Sequence, residues 1–392
     1  MTQLELESVP SARVPLALVF LGAMVIGFGL YAAPERTWLN LLVNGFYLLS
    51  LAISAMFFAA TQLMTGARWS AGLRRIPEAL MFLLPLAALV MLALCFGRGF
   101  LYPSPAGGAL GHASSGGRAA CLRPAWVFAR LVLFLGLWAS FVWFFRKGSL
   151  EQDGDRRASV LQHHRLTRYA AAFLLVFAPS FTMATYDWLL ALEPQWFSTM
   201  FAVYAFAGMF VQGLAAVTLA VVVLRQEGQL GAAVETSQLH DLGKLLFAFS
   251  TFWAYIWVCQ YLLVWYGNIP EEVTYYVSRT NGPWLVVFAL NFVVNWLVPF
   301  VALMSARAKQ SPRRLRAVAA LLLVGHWLDL YVMVMPAKWH APRLGPIEVM
   351  VPLAFASLAY LVVTRALSQA PLVPVNDPIL AADRLRSARG HA

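Results

Sequence analysis

The sequence predicts an all-α integral membrane protein. Of its 392 residues, 60% are hydrophobic and only 12% are charged, whereas soluble globular proteins carry roughly 25% charged residues. The apolar residues fall into runs of about twenty, the length of a helix that crosses a hydrocarbon core about 30 Å thick. Because these runs are apolar on most faces and do not alternate at period two, the strands of a membrane barrel are excluded.

Ten apolar runs follow one another along the chain. They lie at residues 14–33, 41–65, 78–97, 125–145, 169–190, 198–224, 243–266, 283–305, 316–336 and 347–367. Most connections are short, which predicts a single ten-helix transmembrane domain over residues 14–367. A cytoplasmic N-terminal segment (1–13) precedes it, and it lacks the basic region of a cleaved signal peptide. A polar, Pro-rich cytoplasmic tail (368–392) follows, and we expect it from residue 370 onward to be disordered or bound to a partner.

The formal net charge of +11 is best explained by membrane topology, because the Lys and Arg residues are unevenly distributed between the two sides of the predicted spans. Seven of the 29 Lys and Arg residues lie in loops after odd-numbered helices, Arg130 lies inside the fourth helix, and the rest lie at the termini or after even-numbered helices. Since cytoplasmic loops are enriched in Lys and Arg, this distribution predicts a multi-pass protein with both termini in the cytoplasm. The charge implies contact with anionic lipid headgroups and does not indicate nucleic acid binding.

Two connections are longer than the others. Residues 146–168 are predicted to form a basic cytoplasmic connection in which His163 and His164 are solvated. Residues 103–124 are dominated by Gly, Ala and Ser, a composition that predicts a flexible outer loop.

Several kinds of cofactor site are not supported by the sequence. Only His326 of the seven His residues lies deep in an apolar run, which argues against a haem held between two histidines. The cysteines have no paired spacing, and no phosphate-binding loop or metal-spaced motif occurs. We therefore expect the chain to bind no metal, nucleotide or iron–sulfur cluster.

Polar residues nevertheless interrupt the apolar pattern of the fifth and seventh predicted helices. Asp187 lies about 27 Å along the fifth helix, close to the outer surface, and Glu193 follows in a short outer loop. A proton exit and a helix-end hydrogen bond are equally consistent with Asp187. At the start of the seventh helix, Asp241 is placed to be the N-cap, and Lys244 can extend to the headgroups.

Uncharged polar stripes occur on two other helices. Asn291 and Asn295 share one face of the eighth helix. The second helix carries a set at spacings i, i+3, i+7 and i+14, namely Tyr47, Ser50, Ser54 and Thr61. Such stripes either hold neighbouring helices together or line a hydrated path.

The ninth helix carries an imidazole and a carboxyl group one turn apart. His326 lies roughly 15 Å past Arg316, near the middle of a spanning helix, and Asp329 shares its face. Ionisable residues inside a membrane usually have a function. Imidazole accepts and releases protons near neutral pH, so the pair is a candidate for proton transfer. The alternative is a structural pair that bonds to a neighbouring helix.

Three stretches resemble the ActF family, membrane subunits of bacterial alternative complex III in the NrfD/polysulfide-reductase-like superfamily. They are TYDWLLALEPQWFSTMFAVYAFAGMFVQGLAAVTL, HDLGKLLFAFSTFWAYIWVCQYLLVWYGNIPEE and GHWLDLYVMVMP. The resemblance extends over most of the ten predicted helices. Residues 103–124 depart from it, since the family has a more polar outer segment there.

The resemblance implies two four-helix bundles flanked by the first and last helices, in the bacterial inner membrane. It implies a subunit of a quinol:electron-acceptor oxidoreductase of respiratory and photosynthetic electron transport, either non-catalytic or in contact with quinone. Haem c and iron–sulfur clusters would belong to partner subunits, a multihaem cytochrome c and an iron–sulfur protein. Quinol oxidation would belong to a sister ten-helix subunit, ActC. Contact with menaquinone or ubiquinone and proton translocation are the roles left to this chain.

Six residues in the matching stretches are candidates for proton transfer. They are His326, Asp329, Asp187, Glu193, Asp241 and Lys244. We expect the chain to anchor the complex and to provide a proton path, with no residue assigned to catalysis. One alternative is an NrfD-type anchor that oxidises quinol for a molybdopterin or iron–sulfur oxidoreductase. The other is a secondary transporter, for which broken helices and internal repeats would be typical, although neither is evident in the sequence.

Overall fold

The computed structural model of the protein describes residues 12–102, 123–154, 159–230 and 234–380. These residues form helices and connections, with no strand among them. Ten helices are long and apolar enough to cross a membrane: α1 (Arg13–Ala32), α2 (Pro34–Met64), α3 (Arg75–Ala93), α4 (Pro124–Gly154), α5 (Ser159–Leu192), α6 (Phe201–Gln226), α7 (Thr236–Gly267), α8 (Trp284–Ala302), α9 (Pro312–Ala337) and α10 (Pro346–Leu367). The predicted class, an all-α membrane protein with ten spans, is confirmed. The predicted outer loop at 103–124 falls almost entirely outside the described residues.

Several helices are longer than the apolar runs that predicted them. The predicted connection 146–168 is wrong for its described part, because α4 continues to Gly154 and α5 begins at Ser159. His163 is half-buried on α5. Hydropathy reports only the part of a helix that lies in hydrocarbon, so polar helical ends that project beyond it look like connections.

Helix starts follow their capping residues. The first helical positions of α2, α9 and α10 are Pro, a residue favoured there because it has no N–H to satisfy. Glu235 and Gln238 form a capping box, and α7 begins directly after Glu235. The prediction that Asp241 is the N-cap is therefore wrong, because Asp241 lies in the second turn of α7.

The helices pack in a regular order. Within α2–α5, each helix contacts the next and α2 also contacts α5; the same contacts recur within α6–α9. The two sets meet mainly where α2 packs against α6, and α2 with α9 and α5 with α6 add further contacts. The first helix packs along α10, where Gly22 lies so close to Ala354 that an added Cβ would lie 2.2 Å from the alanine Cβ. Small residues of this kind permit close approach of membrane helices.

Two local irregularities shape the α6–α9 set. The helix α8 contains a π-helical turn at Val293–Leu297, between α-helical segments on either side. Such turns are rare and often mark functional sites. A short helix, Pro270–Thr280, connects α7 to α8. It begins after Asn268, whose left-handed backbone (φ 45°) ends α7.

The chain after α10 folds back onto α3 and α4. Leu372 is fully buried, Asn376 Nδ2 donates to the carbonyl of Asp153 at 2.7 Å, and Asp377 Oδ2 accepts from Arg74 Nη1 at 2.9 Å. The expectation of a disordered or partner-bound tail is therefore wrong for residues 371–380, because the segment has buried partners within this chain. The remainder of the tail, 381–392, lies outside the described residues.

Candidate functional site

Asp329 lies about two-thirds of the way along α9 and is 1% exposed. Its carboxylate accepts three hydrogen bonds from three other helices. Tyr204 of α6 donates through its hydroxyl, Trp253 Nε1 of α7 donates at 3.1 Å, and Asn291 Nδ2 of α8 donates at 2.7 Å. The single carboxylate therefore joins all four helices α6–α9.

His326 lies beside this carboxylate and is bonded very differently. Its Nδ1 is 3.9 Å from Asp329 Oδ2, too far for a hydrogen bond. Although the residue is only 2% exposed, neither ring nitrogen has a hydrogen-bond partner among the described residues. The ring packs edge-on against Trp253, with centroids 5.6 Å apart. A buried polar group without a partner costs free energy, which makes this imidazole an unusual feature of an apolar helix.

Asn295 completes the polar environment from the π-helical turn of α8. Its Nδ2 donates to the carbonyl of Gly325 on α9 at 2.9 Å and to Asn291 Oδ1 at 2.7 Å, which supports the interpretation that the eighth-helix stripe joins helices. Its Oδ1 is buried without a partner. We refer to this group as the α9 cluster. Its members are Tyr204, Trp253, Asn291, Asn295, His326 and Asp329.

Glycines make room for the α9 cluster. A Cβ added to Gly208 of α6 would lie 3.3 Å from Asp329 Oδ2 and 3.5 Å from His326 Nδ1. A Cβ added to Gly325 would lie 2.4 Å from Asn295 Oδ1. The second distance is shorter than any real contact, so the side chain of Asn295 takes its position only because residue 325 lacks a Cβ.

Asp187 is held by an arginine. Arg130 of α4 donates to it twice, from Nε at 2.6 Å and from Nη2 at 2.7 Å. The carboxylate is 6% exposed, and Tyr102 donates to the neighbouring carbonyl of Trp188 at 2.9 Å. A two-pronged guanidinium–carboxylate pair is geometrically specific and strong. Asp187 thus belongs to an ion pair within α2–α5 and is not part of the α9 cluster.

Glu193 pairs with a buried arginine that contacts the end of α9. Arg279 of the helix Pro270–Thr280 is 1% exposed, and its Nη2 donates to Glu193 Oε1 at 2.6 Å. The same guanidinium donates to the carbonyls of Val332 and Met333 in the last turns of α9, at 3.0 and 2.8 Å, and lies 3.4 Å over the ring of Tyr275. Arg279 therefore connects Glu193 to a part of α9 that begins about one helical turn after Asp329.

Asp241 and Lys244 lie apart from the other candidates. They form an ion pair of 2.5 Å, and their side chains are 26% and 55% exposed. Trp253 of the α9 cluster is about 18 Å further along α7. Exposed pairs of this kind contribute little to stability.

Charged residues that sequence reasoning missed form another buried centre. Glu78 of α3 is fully buried and accepts from three arginines: Arg74 at 3.0 Å, and Arg75 and Arg146 at 2.7 Å each. Ser149 also donates to it. The two basic residues three and four positions before Glu78 are the signal that could have indicated it.

Glu348 of α10 is a further buried acid that the sequence did not single out. Arg36 Nε donates to it at 2.7 Å and Asn40 Nδ2 at 3.1 Å. Glu348 is 2% exposed, and Asn40 Oδ1 has no partner among the described residues.

Two observations on the described residues bear on cofactor binding. Among them, no group of three or more His, Cys, Asp or Glu side chains could hold a metal ion. A cavity of about 20 Å³ lies between α2, α3 and the returning C-terminal segment, next to Arg74 and Asp377. That volume is enough for a water molecule.

Comparison of the chain with models of known protein families gives no match, and comparison with curated protein sequences gives none either.

Proposed function

We propose that the chain is an ActF-like integral membrane subunit of a quinol:electron-acceptor oxidoreductase of the alternative complex III type. It anchors the complex in the bacterial inner membrane, with both termini in the cytoplasm, and provides a proton path through the α9 cluster. Haem c and iron–sulfur clusters belong to its partners, a multihaem cytochrome c, an iron–sulfur protein and a sister ten-helix subunit. The resemblance of the three stretches quoted above supports this proposal.

The helix contacts support the architecture that the resemblance implies. In the proposed arrangement, α2–α5 and α6–α9 are two four-helix bundles, and α1 and α10 flank them as a pair. Each set has the closed order of contacts that a four-helix bundle requires, and α1 has α10 as its main neighbour.

The observation that carries the proton-path proposal is the contrast between His326 and Asp329. Asp329 has its hydrogen-bond capacity engaged by three donors, while both nitrogens of His326 lack partners. A histidine that served only to join helices would use a ring nitrogen for that purpose. In this proposal His326 accepts a proton on a ring nitrogen and passes it to Asp329, whose Oδ2 lies 3.9 Å from His326 Nδ1.

Beyond Asp329, the path leads toward Glu193. Tyr204 donates to Asp329, and Arg279 holds the partly exposed Glu193 beside the last turns of α9 while keeping its own protons. In this proposal Glu193 releases protons at the outer surface. Quinone contact is the other role that the resemblance implies.

The identity of the complex is tested by purification from native membranes in mild detergent. Mass spectrometry and a haem-stained gel would identify co-purifying subunits. We expect c-type cytochromes, an iron–sulfur subunit and a second ten-helix protein. A molybdopterin-containing partner without cytochromes would favour the NrfD-type anchor, and a lone protein without haem would contradict the respiratory proposal.

The proton path is tested in the assembled complex with His326→Asn and Asp329→Asn. We expect proton release per turnover to fall at least several-fold while the partner subunits remain bound. The control is Glu151→Gln, which alters an acid that is 46% exposed on its side chain. Unchanged proton release in both variants would show that the α9 cluster carries no protons.

One observation favours a second candidate, a secondary transporter. The π-helical turn Val293–Leu297 interrupts α8 beside the α9 cluster, and interrupted helices often form transporter sites near the membrane midplane. Substrate uptake by the purified chain in liposomes, lost in Asp329→Asn, would support it over the respiratory proposal.

A further inference from the structure

The ends of α5 and α9 share a sequence pattern. Asp187 precedes Pro194 by seven residues, and Asp329 precedes Pro336 by the same number. A buried tryptophan follows each proline, Trp196 in the first case and Trp339 in the second. Both helices also finish in a short 3₁₀ turn, at Leu190–Leu192 and at Met335–Ala337. The pattern is too sparse to be evident in the sequence alone, but it marks the fourth helix of each contacting set.

The surroundings of the two aspartates correspond as well. In each set the third helix supplies a side chain that donates to the aspartate of the fourth: Arg130 of α4 to Asp187, and Asn291 of α8 to Asp329. The order of helix contacts is the same in α2–α5 and α6–α9. The two fourth helices also run in the same direction, because three spans lie between them and each span reverses the direction of the chain.

A third correspondence lies in the connection between the second and third helix of each set. Both connections contain a short helix, Arg98–Leu101 in one and Pro270–Thr280 in the other. A residue at the end of each donates to a carbonyl after the aspartate of the fourth helix. Tyr102 donates to Trp188, and Arg279 donates to Val332.

We infer that α2–α5 and α6–α9 are two copies of one four-helix unit, in which Asp187 and Asp329 are equivalent, and that Arg130 makes the first aspartate a fixed ion pair. Arg130 and Asn291 are then the residues that decide which copy exchanges protons. A guanidinium keeps its charge at any pH the protein meets, so its two hydrogen bonds to Asp187 favour the ionised form of that acid. Asn291 brings no charge to Asp329.

The other groups around each aspartate fit this difference. Besides Arg130, the Tyr102 phenol lies close enough to interact with the charge of Asp187, and Arg98 and Cys95 lie near that phenol in turn. Around Asp329, the neighbours from the packed elements are Tyr204 and His326, with Tyr275 beyond them. The second copy therefore has a proton acceptor beside its aspartate and no arginine in contact with it. The exchange of protons at Asp329 rests on the proposed function, whereas the ion pair of Asp187 does not.

Infrared difference spectroscopy of the purified full chain tests the inference, since a protonated carboxylic acid has its own carbonyl band. In spectra recorded across the neutral pH range, Asp187→Asn should remove no protonated-acid band from the wild-type spectrum. Arg130→Asn should create such a band, and the double variant Arg130→Asn/Asp187→Asn should lack it. Arg130→Lys is the matched control, which keeps the charge and should create no band.

Two results would overturn the inference. One is a protonated-acid band in the wild type that Asp187→Asn removes; this measurement needs no Arg130 variant and remains decisive if Arg130→Asn does not fold. The other is a well-folded Arg130→Asn chain without any new band. The proposed function fails separately if Asp329→Asn leaves the wild-type protonated-acid bands unchanged, because Asp329 would then not take up protons.

Discussion

Trp253 Nε1 donates to Asp329 Oδ2 at 3.1 Å, and the indole ring of the same tryptophan packs edge-on against His326. One side chain of α7 therefore positions both ionisable residues of α9. The carboxylate is bonded and the imidazole is only packed, so the two residues differ in what their replacement should do to stability.

Asp329→Asn should destabilise the protein. The amide keeps the shape of the carboxylate but replaces one acceptor oxygen with an NH₂ group, which leaves a donor facing another donor. We expect a loss of about 1–3 kcal/mol in the free energy of unfolding, measured by SDS titration in detergent. His326→Asn, which breaks no hydrogen bond of the described residues, should cost less than Asp329→Asn. Equal losses would contradict the bonding pattern described here.

Gly325→Ala should disturb the same site from the backbone side. The new Cβ would lie 2.4 Å from Asn295 Oδ1 and 2.8 Å from Val294 Cγ1. Overpacking of this kind costs about 1–3 kcal/mol, and thermal unfolding in detergent would measure it. Gly136→Ala on α4 is the matched control, since nothing lies within 4 Å of its Cβ. A loss of stability in the control alone would refute the steric argument.

Glu78→Gln should be the most damaging acid-to-amide change outside the α9 cluster. Glu78 is fully buried among three arginines, and breaking a buried ion pair costs about 3–5 kcal/mol because charge is left uncompensated. Yield of folded protein and thermal unfolding would report the effect. Glu151→Gln, which disrupts an exposed pair with Lys147, should change stability by no more than about 0.5 kcal/mol.

Arg279→Lys should weaken the end of α9 although it keeps the charge. The guanidinium donates to Glu193 and to three backbone carbonyls, those of Tyr275, Val332 and Met333. A lysine ammonium has three donors and no planar fork. We expect faster hydrogen exchange of the backbone in the last turns of α9, measured by mass spectrometry. Arg313→Lys, at an exposed position near the start of α9, should leave exchange there unchanged.

Stability should decrease in alkaline solution partly through Tyr275. Burial raises the pKa of the Tyr275 phenol above its ordinary value, an effect that Arg279 only partly offsets. The folded chain therefore keeps a proton that the unfolded chain releases. The contribution of the protonated Tyr275 phenol to the free energy of unfolding is complete below a pH of about 10 and is lost as the pH rises above that value. Unfolding measured on either side of this pH should show a smaller loss for Tyr275→Phe than for the wild type.

The ten spans and the helical class could be predicted from the sequence because the signal is local. A run of about twenty apolar residues must form its backbone hydrogen bonds internally to enter hydrocarbon, so no knowledge of neighbours is needed. The conspicuous residues His326 and Asp329 were found for the same reason, since an ionisable side chain in an apolar run is visible without a structure.

The errors arose where the signal is not hydropathy. The helical ends around residues 146–154 and 159–168 are polar, and the helices there are longer than the hydrocarbon requires. Glu235 and Asp241 are both plausible N-cap residues for α7. The sequence alone does not show which of them begins the helix, and the structure shows that it is Glu235, together with Gln238. The segment 371–380 resembles a disordered tail in composition, yet Asp153 and Arg74 bind it.

The sequence by itself determined that this chain is a ten-span helical membrane protein with an imidazole and a carboxyl group on one face of its ninth helix. Only the tertiary structure decided what those groups meet: Tyr204, Trp253 and Asn291 converge on Asp329, whereas Arg130 takes Asp187. The reason is physical. Hydropathy and helical periodicity are properties of one segment, but a hydrogen bond between helices depends on their rotation and depth, which are set by the packing of all ten.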